Sequence, residues 1–196
     1  SLRRQRQMCI RDSNYASHVS AKAIADAFSR TASPLRFEGG TIPNLEPRDD
    51  IRIGDAAPIV VRAEDGPQLI QRPWAWKGPG GRPVFNFRSE DRSFAHSTRC
   101  LIPFDAFYEF TAAEPGQTRK TKWRFTYADG AWGWIAGLAR ENAWTMLTTA
   151  PGPDVAPFHD RQIVLLRQDE ALDWLDLVRP ETQLLRPQAA GNLSVG

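Results

Sequence analysis

The chain has 196 residues, 41% hydrophobic and 24% charged, the make-up of one globular domain with a substantial core and short for two. No apolar run approaches the roughly 20 residues that span a bilayer, and the basic start lacks the apolar stretch of a secretory signal. A membrane partner is excluded and a cytoplasmic protein expected; a net charge of +2 does not by itself announce a nucleic-acid partner.

Met8-Cys9 is the first feature along the chain. A cysteine that follows a removable methionine becomes the first residue and then carries both a thiol and a free α-amine. Ser1 to Gln7 lie upstream, so that amine exists only if the segment is cleaved off or was never part of the natural product. Residues 1–8 therefore read as an extension, removed or included by too early a start, and 9–196 as the folded domain. Arg3, Arg4 and Arg6 precede Met8, so a chain starting at Cys9 would stand at −1.

Ser20 to Phe28 (SAKAIADAF) has apolar residues at helical spacing behind an N-capping serine and predicts a short helix. Residues 33–50 hold Pro34, Gly39, Gly40, Pro43 and Pro47 and read as a surface loop. Ala57–Val61 and Gln68–Arg72 predict a hairpin turning at Asp65-Gly66. Trp74 and Trp76 then stand beside the glycine-rich run Gly78 to Gly81.

The second half is strand-rich. Cys100–Pro103, Ala106–Thr111, Trp123–Tyr127, Gly133–Ala139 and Trp144–Thr149 are short, aromatic or β-branched, and separated by turn residues that include Asp129-Gly130. Such spacing predicts an antiparallel sheet curled like a barrel. Ile163–Leu166 reads as a buried strand and Asp169–Leu177 as an amphipathic helix with acidic residues in its first turn. Beyond Pro180 there is no clear periodicity until Asn192–Val195. The class is α+β, a single domain of mostly antiparallel sheet with a few flanking helices.

Cys100 reads as a buried core thiol, whereas Cys9 sits in a polar stretch where a structural cysteine has less purpose. Neither has metal-ligand spacing, so no metal and no cofactor is expected. His159 lies in a turn just before a strand, from which a side chain can reach a cleft; His18 and His96 read as surface residues. Glu109 interrupts the aromatic strand Phe107-Tyr108-Glu109-Phe110, and alternation puts it on the face of Phe107. It either forms a salt bridge at an edge or lines a pocket, where burial would raise its pKa toward use as a general acid or base. Asn86, between Phe85 and Phe87, could equally close a turn.

Taken together these residues resemble the SOS response-associated peptidase (SRAP) family of abasic-site processing proteins. Asn86-Phe87-Arg88-Ser89-Glu90 is similar to its Asn-Ala-Arg-Ser-Glu signature, and Arg99 to Phe110 (RCLIPFDAFYEF) to its Arg-Cys-Leu-Ile-Pro-x-x-Gly-Phe-Tyr-Glu-Trp. Ala136-Gly137-Leu138 and His159-Asp160-Arg161 follow in the family's order, and Met8-Cys9-Ile10-Arg11 resembles its Met-Cys-Gly-Arg start. The chain departs from the family where Arg161-Gln162-Ile163 replaces Arg-Met-Pro and where Trp76-Lys77-Gly78 stands for Trp-Gly.

The resemblance implies an abasic-site sensor of the DNA damage response that joins Cys9 to the ring-opened aldehyde of single-stranded DNA as a thiazolidine. It assigns proton transfer to Glu109, ring opening to His159 and the positioning of Cys9 to Asn86. Arg88, Arg161 and Arg11 become candidate phosphate contacts, and Trp74 or Trp76 candidate stacking partners for flanking bases. The same site acting on a peptide bond would be an autoproteolytic cysteine peptidase that removes the extension. A chain with a blocked N-terminus would be limited to non-covalent binding of single-stranded or modified DNA. The expected protein is a monomer with no membrane partner, associated with the nucleoid when bound to DNA.

Overall fold

The computed structural model describes residues 13–29, 31, 33–113, 116 and 118–196. The extension, Cys9 and Arg11 lie outside the described residues. In chain order the strands are β1 (Asn14–Ser17), β2 (Arg36–Phe37), β3 (Arg48–Arg52), β4 (Ala56–Ala63), β5 (Gly66–Pro73), β6 (Trp76–Lys77), β7 (Pro83–Val84) and β8 (Asn86–Arg88). There follow β9 (Arg99–Phe104), β10 (Ala106–Thr111), β11 (Thr121–Tyr127), β12 (Gly133–Arg140), β13 (Ala143–Thr149), β14 (Gln162–Ile163), β15 (Leu165–Leu166) and β16 (Leu193–Val195). Helices α1 (Ala21–Phe28), α2 (Ala171–Asp176) and α3 (Glu181–Leu184) complete the α+β architecture.

One sheet has five strands in the order β16-β11-β10-β1-β3; a second has nine, following β14-β13-β12-β9-β4-β5-β2, with β15 paired to β12 and β8 to β13. Pairing is mostly antiparallel, with β8 on β13 and β2 on β5 parallel. Both sheets curl without closing.

The nine-stranded sheet is buried on both faces, which explains why its strands read as nearly continuous apolar runs. Along β9, Cys100, Ile102 and Phe104 enter the cluster between the sheets, joined by Phe107 and Phe125 from the smaller sheet. The intervening Leu101 joins the cluster on the other face, where it meets Ile24 and Phe28 of α1, Trp174 of α2 and Leu184 of α3. Four buried tryptophans each donate an indole N–H hydrogen bond: Trp74 to the Phe85 carbonyl, Trp144 to that of Arg72, Trp174 to that of Cys100, and Trp134 to Gln168 Oε1. An apolar ring is thereby buried without stranding its donor.

Gly137 of β12 sits where strands pack tightest: a Cβ there would stand 2.5 Å from Ile102 Cδ1, 2.6 Å from the Thr145 carbonyl oxygen and 2.9 Å from Cys100 Sγ. One of those atoms is backbone and cannot swing aside. Gly137→Ala is expected to cost about 2–3 kcal/mol by overpacking, lowering the melting temperature by roughly 5–10 °C in a thermal melt followed by circular dichroism.

Ser20 caps α1, its hydroxyl accepting from the Ala23 N–H at 3.1 Å. The hairpin turns one residue earlier than expected: Ala63 pairs with Gly66, so Glu64 and Asp65 form the loop and Gly66, at φ 123°, opens β5. The predicted strand Ile163–Leu166 is split, because Val164 donates to Leu147 of β13 and accepts from Ala136 of β12 as the chain crosses between them. The helix expected over Asp169–Leu177 begins as a 3₁₀ turn and stops at Leu177, where φ is 51°. Helix α3 lies in the segment without readable periodicity. Among the described residues no helix is long and apolar enough to cross a membrane.

Candidate active site

Phe107 of β10 points into the cluster between the sheets, and two residues on Glu109 takes the same face at the edge of that cluster, where Trp123 and Phe158 pack against it and form the mouth of the candidate site. Its side chain is 16% exposed. Among the described residues the cation nearest its carboxylate is His159, 3.9 Å away from Nδ1, beyond hydrogen-bond length. Burial, reinforced by Asp160, pushes the Glu109 carboxyl up to about 8. The carboxyl therefore carries its proton at neutral pH, as a general acid must.

His159 reaches the mouth from the loop between β13 and β14. Phe158 anchors that loop on β11, its ring centroid 4.8 Å from Trp123 and 5.4 Å from Phe125. Trp123 is the cross-strand partner of Glu109, so loop and carboxylate are registered on adjoining strands. At the base of the loop the buried Gln162 side chain accepts from the Gly152 N–H at 2.9 Å. That contact gives a physical use to the glutamine standing where the resemblance expects methionine.

The His159 ring is oriented from behind: Nδ1 lies 3.0 Å from both the N–H and the carbonyl oxygen of Arg161. A neutral ring accepts from the N–H and keeps its proton on Nε2, while a protonated Nδ1 donates to the carbonyl. The Arg161 guanidinium is committed to Glu90, at 2.5 and 2.8 Å, and to Thr148 Oγ1 at 3.1 Å. The pair holds the Glu90 carboxyl down at about 2. Arg161 thus braces the loop against the end of β8, and a phosphate would have to compete with Glu90 for it.

Just past β8, Glu90 ties this segment to Arg161 of the His159 loop. Asn86 and Arg88 lie opposite Met146 and Thr148 of β13, on the sheet face turned toward the five-stranded sheet, and both are exposed. Phe87 takes the reverse face and packs on the second cluster. Asn86 is a strand residue here and closes no turn.

The two candidate tryptophans part company. Two residues apart on a regular strand they would share a face, but Ala75 between them has φ 89° and reverses the alternation. Trp74 is 1% exposed, stacked on Trp144 at 5.4 Å with an interplanar angle of 4°. Its indole has no face open to a base. Trp76 lies half-buried against the second cluster with the Arg140 guanidinium 4.4 Å over its ring.

Cys100 is fully buried, its thiol pKa raised by desolvation, and it makes no disulfide. His96 and His18 are both exposed, as expected, and His18 bridges Asp105 and Asp49 through its two ring nitrogens. Glu90, Thr148 and Phe158 were not singled out as site residues by the sequence reading. Glu90 ends the Asn86-to-Glu90 run, and only the fold shows it meeting Arg161.

The family model of SOS response associated peptidase (SRAP) matches residues 8–195. The chain belongs to the SRAP family. Among curated SRAP-like relatives, abasic site processing protein YoaM of Bacillus subtilis is 30% identical over 122 residues, covering 53% of this chain and 52% of that one. Abasic site processing protein YoqW of the same bacterium is likewise 30% identical over 122 residues, covering 53% of each. The SRAP chain spans about half the length of the curated relatives it matches. Its fold is shared with a phage-related protein of Bordetella bronchiseptica, at a TM-score of 0.71 and 19% identity over 94% of this chain and 92% of that one. A protein from Bacteroides thetaiotaomicron also shares it, at a TM-score of 0.69 and 15% identity over 93% and 90%.

Proposed function

We propose that this SRAP protein processes abasic sites in single-stranded DNA through a covalent link from an N-terminal Cys9. The observation that carries the reading is the register of β1 on β10. Asn14 pairs with Tyr108 and Ala16 with Ala106 in antiparallel sense, so the chain preceding Asn14 leaves at the Glu109 end. Cys9 is five positions upstream, which limits it to about 17 Å from the Asn14 Cα. The names of the two Bacillus relatives support the substrate class.

In the ring-opened form the abasic sugar presents an aldehyde. The Cys9 amine adds to its carbonyl carbon and one nitrogen proton passes to the oxygen; Glu109 then gives a proton to the departing hydroxyl, one water leaves, and the second nitrogen proton returns to the Glu109 carboxylate as the imine forms. The thiol sulfur then bonds to the imine carbon while its proton passes to the nitrogen, closing a five-membered thiazolidine. The second nucleophile is tethered to the first, so closure proceeds at high effective concentration. His159 assists sugar ring opening, Asn86 hydrogen-bonds the incoming N-terminus, and Arg88 with Arg11 takes phosphates.

This chemistry requires that Ser1 to Met8 be absent, whether by self-cleavage at this site or by ordinary methionine trimming. Protein verified by intact mass to begin at Cys9 is expected to give a band with abasic single-stranded DNA that survives denaturation. A chain shown by intact mass to retain Ser1 throughout the assay should give none, and neither should Cys9→Ala. A verified Cys9-terminal protein that forms no adduct would defeat the reading.

A further inference from the structure

His159 and Glu109 stand on different elements, so their separation depends on how the His159 loop is tied to the sheet that carries Glu109. Two ties lie next to the histidine, Phe158 on Trp123 and Phe125, and Arg161 on Glu90. A third lies at the start of the loop. The Asp154 carboxylate accepts from the Gly191 N–H through one oxygen and from the Leu193 N–H through the other, each at 3.0 Å. Leu193 opens β16, the outermost strand of the five-stranded sheet, and pairs with Tyr127 of β11, the strand on which Trp123 lies opposite Glu109. Strand β16 does not need Asp154 in order to pair: Arg124 and Gly196 exchange backbone hydrogen bonds, and Ala128 donates to Asn192.

Between Asp154 and the histidine the chain has little slack. Val155 is fully buried in the cluster between the sheets, its N–H donates to the Gly152 carbonyl, and its own carbonyl accepts from Phe158 at 2.8 Å and from His159 at 3.1 Å. Gly152 is pressed against the same C-terminal segment, since a Cβ there would stand 2.3 Å from the Gln188 carbonyl oxygen. A closed circuit results, from His159 through Val155 and Asp154 to β16, along β11 to Trp123 and across to Glu109. We infer that Asp154 is a positioning residue of the candidate active site, setting His159 relative to Glu109 by way of β16. The step that His159 serves comes from the abasic-site reading, on which this role rests; the tie itself does not depend on it. Charge-assisted hydrogen bonds to two N–H groups fix direction as well as distance, which ring packing at Phe158 does not. Opening the sugar breaks the bond between its anomeric carbon and ring oxygen, the anomeric hydroxyl giving up its proton and the ring oxygen gaining one. An imidazole displaced by about 1 Å would assist that transfer about 10²-fold less well.

The test uses the Cys9-terminal protein and one single-stranded oligonucleotide carrying either of two lesions: an abasic sugar, or an open-chain aldehyde that lacks the hydroxyl needed to close the ring. Asp154→Ala is expected to form adduct about 10- to 100-fold more slowly on the first and at the parental rate on the second, which needs no ring opening. Asp154→Asn keeps one acceptor oxygen and should fall between parent and Asp154→Ala on the abasic strand. A thermal melt establishes that each variant is folded at the assay temperature. The chain has three histidines. In proton NMR the ring signal of His159, assigned by its loss in His159→Gln, should shift or broaden in Asp154→Ala while those of His18 and His96 stay in place. Equal slowing on both lesions, or an unmoved His159 signal in a folded Asp154→Ala protein, would overturn the inference. Unmutated protein that links to neither lesion would sink the thiazolidine reading, and the His159 signal would still decide the role of Asp154.

Discussion

Glu109→Gln is expected to slow adduct formation about 10²- to 10³-fold, the usual contribution of a positioned general acid, and to make the protein more stable. Both effects have one cause. Water leaves the first addition product only with a proton, and the Glu109 carboxyl, held at about 8 instead of its ordinary 4.5, is the protonated group at the mouth. Glutamine keeps the shape and has no proton to give. Between pH 4.5 and 8 the folded protein holds a proton on Glu109 that the unfolded chain has released, so stability falls as pH rises through that window and the cost is fully developed above it. Removing the charge should recover about 2–4 kcal/mol at pH 8 and little at pH 4. Denaturant melts at the two pH values check the stability; single-turnover adduct formation checks the chemistry. In the parent the rate of formation should drop above pH 8, and in the variant that drop should vanish. A Gln variant that reacts at the parental rate would remove Glu109 from the mechanism.

The sequence already carried the carboxylate because alternation is a local rule: two residues separate Phe107 from Glu109, and β10 keeps its pleat over Ala106–Thr111. The same rule failed at Trp74 and Trp76, where Ala75 adopts a backbone conformation that alanine seldom takes and no residue letter announces. Non-local pairings were equally silent. Glu90 and Arg161 are 71 positions apart and meet only because β8 lies parallel to β13, next to the strand that the His159 loop enters. Val164 looked like the middle of one strand, yet it is the crossing point between two ladders. Residues whose role depends on one strand were legible, and those whose role depends on which strands become neighbours were not.

Trp74→Ala is expected to cost about 3–5 kcal/mol, lowering the melting temperature by roughly 10 °C or more. The ring is stacked on Trp144 and meets Tyr15 edge-on at 5.8 Å, so truncation opens a cavity between the sheets that the paired strands cannot close. It also removes the indole N–H from the Phe85 carbonyl, the residue that leads into β8. That loss lowers the stability of the strand pair that carries Asn86 and Arg88 without touching either side chain, so DNA binding should fall only as the fraction of folded protein falls. Trp74→Phe, which keeps a stacked ring and loses the hydrogen bond, should restore most of the stability. Trp76→Ala has the opposite signature: its ring is half-buried, so the melt should move little while affinity for single-stranded DNA drops. Measuring melting temperature and affinity for the three variants under conditions where each is folded tells a tryptophan that builds the fold from one that meets the ligand. A folded Trp74→Ala protein with its melting temperature intact and its DNA affinity lost would reverse the assignment.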